Sequence, residues 1–420
     1  MERAEQNPPE RHQQWARAVR LSSWVLVGLA LALLALRLGD ALDALMGTNL
    51  NGDIYRFLDG AREMRWFYDS GFREPLHVAF IKLALACTDN AEHAVRALSA
   101  LQTLFAAGML YLFARRFFGH TLALVALYLF AINPIVAFYG VQGLRAPLYT
   151  GLLLAFALAL YHPWPSPRAR LGAVLTGLLA AALILTRVYA ILIVVGAVMV
   201  FLLRARAWRA GSRRQALMFA ALVCGLAALL ALPMFVFRDW ATVDHNINFL
   251  RNLERYGHAG DPEAEASVGL LQWIFGEHSL WQVFTIVLGN YLRYGYQYLP
   301  FFMRGYAALA WLFPVGLIAA LASRRGHVVA TLILALAPIV FVLHLDQVPG
   351  AKGVESRLVY QCFPFAVTLA LFGLVWPLSQ GLRWLARRDG AAAPWLRATA
   401  QALAPPAPVV DEDGGSVDKG

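Results

Sequence analysis

The stretch from Asn51 to Tyr68 (NGDIYRFLDGAREMRWFY) concentrates side chains suited to proton transfer and ion pairing. Ile54, Phe57, Leu58, Ala61 and Tyr68 fall near helical spacing, and Arg56, Asp59, Arg62 and Glu63 occupy the other face. The pattern predicts an amphipathic helix lying in a membrane surface. Asp53 stands at its start, and two roles are open to it. Its carboxylate can cap the free N–H groups of the first turn, or serve as a base where water meets the bilayer. Asp59 and Glu63 read as solvated charges paired with Arg56 and Arg62 one turn away. The next stretch is Gly71-Phe-Arg-Glu-Pro-Leu-His77. Pro75 suits the first turn of a helix, which clusters Arg73, Glu74 and His77 at that helix's start. Arginine and histidine at a helix N-terminus form a ready phosphate site. The alternative is a juxtamembrane anchor, with Arg73 on lipid head groups at large.

Long apolar runs must position these residues. The chain has 420 residues, 59% hydrophobic and 15% charged, where a soluble protein carries about 25% charged residues. That excludes a disordered chain and an ordinary soluble enzyme. Three cysteines, Cys87, Cys224 and Cys362, exclude a disulfide-stapled scaffold. The net charge of +10 sits in short clusters between apolar runs, a topology signal rather than a basic face for nucleic acid. With no Gly-rich phosphate loop, no soluble nucleotide cofactor is implied. The expected fold class is all-α, a polytopic transmembrane helix bundle.

A crossing helix needs about 20 mostly apolar residues. Segments 22–39, 94–113, 121–139, 147–161, 171–186, 188–203, 215–236, 306–322, 328–345 and 358–378 qualify. Segments 75–88 and 281–303 are ambiguous in length or charge. Cytoplasmic loops collect Lys and Arg. If neither ambiguous segment spans, ten crossings put every basic cluster inside: Arg17/Arg20, Arg115/Arg116, Arg168/Arg170, the run Arg204–Arg214, Arg324/Arg325 and Arg383/Arg387/Arg388. Segments 75–88 and 281–303 then become interfacial or re-entrant helices on the outer face. The expected plan is a cytoplasmic tail 1–21, a membrane domain 22–380 with outer loops 40–93 and 237–305, and a mostly disordered cytoplasmic tail 381–420. The expected location is a bacterial inner membrane, with both termini cytoplasmic. In the second outer loop, Asp239, Asp244, His245, His258, Asp261 and Glu277 match no metal-ligand spacing. Tyr291, Tyr294, Tyr296, Tyr298, Phe301 and Phe302 read as an interfacial aromatic belt or the lining of a lipid or sugar groove.

The order Gly-Asp53…Tyr55…Ala61-Arg62-Glu63-Met64…Arg73-Glu-Pro-Leu76 resembles the first outer loop of the GT-C glycosyltransferases. These include the protein O-mannosyltransferases and the aminoarabinose transferases. Further stretches resemble the family in order: Ala94–Gly119, Phe130–Tyr139, Leu144–Leu152, the Leu185-Thr-Arg187 corner, and Glu355-Ser-Arg-Leu-Val-Tyr-Gln-Cys-Phe-Pro364. The resemblance covers roughly 20–378. Two features depart from it. Ile54 stands where many members have a second acid, and Ala146, beside Arg145, stands where an acid often opens the helix.

The resemblance implies transfer of a sugar from a polyprenyl-phosphate donor to a lipid or glycan acceptor on the outer face, with inversion. It implies Asp53 as the general base. Arg73, His77, Arg145, Arg187, Arg357 and Tyr360 would bind the lipid phosphate or the sugar. A lipid phosphate leaving group is stabilised by fixed cations, for which the bidentate guanidinium is suited. No cofactor is expected; a divalent metal is compatible with the family but not indicated by the residues. Membrane lipids are expected partners. The rival readings are a lipid or solute transporter, and an O-antigen polymerase or ligase. A transporter should carry paired half-helices and charges inside its spans, whereas here the charges gather at the outer ends.

Overall fold

A computed structural model describes residues 8–48, 52–70, 74–162, 168–206, 210–237, 279, 281–282, 284–285, 288–289, 306–323, 325–342, 360–388 and 393–403. Among these residues the chain is helical, with no strand. A backbone surrounded by hydrocarbon must satisfy its own hydrogen bonds, which a helix does locally.

All ten segments expected to cross the membrane fall on helices. Five are long and apolar enough to cross alone: Ser22–Leu45 within α1 (Pro8–Leu45), α4 (Ala91–Phe118), α8 (Ala169–Thr186), Arg213–Val236 within α10 (Ala210–Val236), and Tyr360–Arg388. The last joins a 3-10 turn (Tyr360–Cys362) to α13 (Phe363–Arg388). Segment 121–139 is two helices, α5 (His120–Ile132) and α6 (Pro134–Gly140), bent by 66°. The other four are apolar helices of fewer than 18 residues: α7 (Ala146–Leu160), α9 (Ala190–Arg206), α11 (Ala307–Ala322) and α12 (Gly326–Val342).

The bend has a local cause. Pro134 has no N–H for the turn behind it and pushes Asn133 out of helical geometry. Asn133 is extended, and its side chain accepts from Ile135 N at 2.9 Å and Val136 N at 3.3 Å, starting a new helix. The described helices carry large apolar side chains on their outer surface: Leu29, Leu36, Leu229, Trp311 and Ile318 all face outward. Such a surface suits lipid tails rather than water.

Between lipid-facing helices, close packing replaces the hydrophobic effect as the cohesive force. α11 runs along α13, and their backbones touch at two glycines. A Cβ on Gly316 would lie 1.8 Å from the Leu369 carbonyl oxygen, and one on Gly373 2.3 Å from that of Leu312.

The first loop folds as two short helices. α2 (Gly52–Glu63) buries Ile54, Phe57, Leu58 and Ala61 and exposes Arg56, Asp59, Arg62 and Glu63. This is the amphipathic division expected from the spacing. Asp59 and Arg62 pair at 3.9 Å on the exposed side, where such contacts contribute little. α3 (Pro75–Leu85) has 11 residues, too few to cross a bilayer. Lys82 of α3 donates to the Met64 carbonyl just beyond α2 and so ties the pair together. Arg96 of α4 clasps the rim of the bundle: it pairs with Glu92 at 2.8 Å and donates to Thr48 and to the Val141 carbonyl.

Within the last tail, residues 381–388 continue α13, α14 (Ala393–Leu403) packs against it, and residues 404–420 lie outside the described residues. The α14 run of Ala, Leu, Arg and Gln favours helix, and Ala400 is buried. Segment 281–303 lies largely outside the described residues.

Candidate active site

Five helix ends meet at one end of the bundle, the end that the charge pattern assigns to the outside. The start of α3 brings Glu74 and His77, the start of α7 brings Arg145, and the end of α8 brings Arg187. The start of α9 follows Tyr189, and the turn before α13 brings Tyr360 and Gln361.

Glu74 holds the N-cap position of α3 without a side-chain capping hydrogen bond. Its carboxylate reaches across the bundle instead. One oxygen accepts from Arg145 Nη1, and the other from the Val188 backbone N–H at 3.4 Å. Arg145 also donates to the Thr186 carbonyl at 3.5 Å. Glu74 is buried and Arg145 partly so, and removing one partner of a buried pair costs about 3–5 kcal/mol. The Arg145 guanidinium lies 5.6 Å from the Phe57 ring, which meets His77 edge-on at 5.0 Å. Through Phe57, α2 is seated directly on this cluster.

Arg187 is buried, with 5% of its surface exposed. It leaves helical geometry as the C-cap of α8, at φ −153° and ψ 118°, turning the chain back toward α9. Its guanidinium donates to the Tyr189 hydroxyl and, at 3.3 Å, to Gln361 Oε1. It stacks near the Tyr149 and Tyr189 rings at 5.1 and 5.4 Å, and such contacts hold a cation away from bulk water. Gln361 is fixed in turn by donating to the Ala335 carbonyl at 2.7 Å. Tyr360 beside it is fully buried, 6.3 Å from the Tyr139 ring and 6.4 Å from Phe130.

His77 has a defined tautomer. Its Nε2 lies 3.2 Å from the Gly143 carbonyl oxygen, which only accepts, so Nε2 carries the hydrogen. Nδ1 is then a bare acceptor, buried, with no partner among the described residues. Burial, with the nearby positive charges of Arg145 and Arg187, lowers the His77 pKa to about 3. The ring is therefore neutral at physiological pH and offers a lone pair, not a charge.

The structure thus brings together His77, Arg145 and Arg187 of the seven expected site residues, and sets Tyr360 beside Gln361 with its ring toward Tyr139 and Phe130. Arg73 and Arg357 lie outside the described residues. Asp53 is in the first turn of α2, one turn before Phe57; its side chain is also outside them. Among the described residues, no group of three or more His, Cys, Asp or Glu could hold a metal ion. Sequence reading placed Glu74 near the helix start but missed its pairing with Arg145. It also missed Tyr149, Tyr189 and Gln361 as neighbours of Arg187. A signal was present for two of these: Tyr189 follows Arg187 by two residues, and Tyr149 lies one turn after Arg145.

This architecture has known counterparts. A family model described as dolichyl-phosphate-mannose-protein mannosyltransferase matches residues 73–237. The oligosaccharyltransferase of Archaeoglobus fulgidus in its apo form superposes with a TM-score of 0.52 at 14% identity, over 91% of this chain and 55% of that one. The same organism's oligosaccharyltransferase AglB, in complex with an inhibitory peptide and a dolichol-phosphate, gives 0.52 and 14%, over 93% and 57%. The chain shares the fold of these archaeal oligosaccharyltransferases. ArnT from Cupriavidus metallidurans is also similar, with a TM-score of 0.49 and 19% identity over 90% of this chain and 65% of that one. The chain spans about half the length of the archaeal oligosaccharyltransferases. No curated protein matches. The GT-C resemblance read from the motif order accordingly holds at the level of fold, and the matched family segment contains Glu74, His77, Arg145 and Arg187.

Proposed function

We propose that this chain is an integral membrane glycosyltransferase. It moves a sugar from a polyprenyl-phosphate donor to a lipid or glycan acceptor on the outer face of a bacterial inner membrane, with inversion at the anomeric carbon. The observation that carries the reading is the convergence of two guanidiniums, Arg145 and Arg187, beneath the helix that bears Asp53, in a GT-C fold. In this reading Arg187 and Arg145, joined by Arg73 and Arg357, stabilise the departing lipid phosphate. Asp53 takes the proton from the incoming acceptor hydroxyl, a contribution typically of ~10²–10⁴-fold. The bare Nδ1 of His77 accepts from a sugar hydroxyl rather than from the phosphate, since its single N–H is engaged with Gly143. Tyr360 packs the floor beside Gln361.

The test compares envelope glycolipids and glycans by mass spectrometry from cells with the wild-type protein, without it, and with Asp53→Asn. The expected outcome is a sugar-modified species that is absent from the deletion and lost in Asp53→Asn, while the variant stays in the membrane in normal amount. Normal modification by Asp53→Asn removes the assigned base. Flux of a labelled solute into sealed vesicles with no covalent product replaces the enzyme reading with transport.

A further inference from the structure

The opposite end of the bundle holds a second buried polar cluster that the proposed transfer does not use. It forms where the ends of α4, α7 and α9 meet the start of α12. Arg204, exposed at the end of α9, donates through Nη1 to Nδ1 of His327. An arginine only donates, so Nδ1 is the acceptor and the His327 hydrogen sits on Nε2. His327 is 6% exposed, and Nε2 is buried with no partner among the described residues. This donor is wedged between rings, with Tyr161 centred 4.7 Å and Phe117 5.0 Å from the imidazole.

More positive charge surrounds it. Arg325 lies close enough to act on His327 electrostatically, and is itself fastened to the Phe117 carbonyl at 2.6 Å and stacked near Phe372 at 4.9 Å. Arg116, at the end of α4, acts likewise on His162, next to Tyr161, and its buried Nε has no partner among the described residues. Among the described residues, no carboxylate pairs with Arg116, Arg204 or His327. Topology alone requires arginines near this surface but does not require a histidine donor buried behind one of them. Donors without acceptors, gathered under positive charge at the end of spanning helices, are complementary to an anion at head-group depth.

We infer that Arg204 and His327, flanked by Arg116, form a receptor for a phosphate anion at this end of the bundle. Arg204 is the accessible element and meets the anion first; the Nε2–H of His327 donates to a second oxygen from beneath. A phosphate at this depth comes from a lipid head group or from solution, and the two sources are separable by experiment.

The full chain is reconstituted in phosphatidylcholine nanodiscs doped with phosphatidylglycerol, and bound lipid is counted by native mass spectrometry. Wild type is expected to retain phosphatidylglycerol over phosphatidylcholine. Arg204→Ala removes a charge-assisted bond and should weaken retention about tenfold. His327→Phe should weaken it while leaving Arg204 in place. Arg170→Ala, an exposed arginine at the start of α8 on the same end, should leave it unchanged. Because Arg204 is exposed, its alanine variant reads binding even where His327→Phe lowers the yield. Displacement of the lipid by millimolar inorganic phosphate assigns the site to a soluble phosphate, and no displacement assigns it to the head group. Wild-type retention in Arg204→Ala, or equal losses in Arg204→Ala and Arg170→Ala, overturns the proposal.

Discussion

At the scale of single residues, the outer cluster is defined by which proton sits where. Glu74 and Arg145 neutralise one another across the bundle, so neither is free to change alone. Glu74→Gln strands the guanidinium and is expected to lower the stability of the detergent-solubilised protein by about 3–5 kcal/mol, read as a fall in Tm. The double variant Glu74→Gln with Arg145→Gln should lose clearly less than the sum of the singles; additive losses would mean that the two are not coupled. His77 gives a pH signature. Its folded pKa, about 3, lies below the ordinary 6.5, so the unfolded chain binds the proton more readily. Its contribution is complete above pH 6.5 and lost as the pH falls toward 3. Wild type should therefore lose Tm more steeply on acidification from pH 8 to 5 than His77→Gln. Parallel curves would place the ring in water. Much of this was legible in the chain itself. The placement of Arg145 and Arg187 at helix ends followed from charges flanking apolar runs. The Glu74–Arg145 pair did not, because the partners are 71 residues apart and no local pattern links them.

At the scale of elements, hydropathy placed each expected crossing on a helix but did not give the helix lengths, and five of those helices are long and apolar enough to cross alone. The window over 121–139 sums across the Asn133-Pro134 break, so two helices read as one. The proline was a boundary signal, outvoted by the apolar residues on both sides. The glycine contact between α11 and α13 was equally hidden, since a lone glycine in an apolar run costs little and signals little. It is a strong constraint once seen. Gly316→Leu has no flexible neighbour to displace, only the Leu369 carbonyl. Overpacking of a well-filled core costs about 1–3 kcal/mol or more. The variant is expected to give a lower yield of monodisperse protein and a lower Tm, whereas Gly225→Leu, with nothing near its Cβ, should match wild type. A normal Gly316→Leu protein would separate the two helices.

At the scale of the whole molecule, the bundle has two chemically different ends. Glu74, Arg145 and Arg187 gather at one; Arg116, Arg204, Arg325 and His327 gather at the other. Arg116, Arg204 and Arg325, from three of the basic clusters expected on the inside, lie at the same end of the bundle. Cys87 is exposed beyond α3, Cys362 is buried and Cys224 is half-buried. A membrane-impermeant maleimide applied from outside should therefore label Cys87 in spheroplasts. A cysteine placed at Arg170 in a Cys87→Ser background should label only after the membrane is opened. The reverse pattern would invert the molecule. The bridge from Lys82 to Met64 has a mechanical consequence. α3 begins at the residue locked to Arg145 and, one turn from its far end, grips the chain just past α2. Any tug on the helix carrying Asp53 is relayed through that rod to the guanidinium, so α2 and the Arg145 cation are braced as one unit.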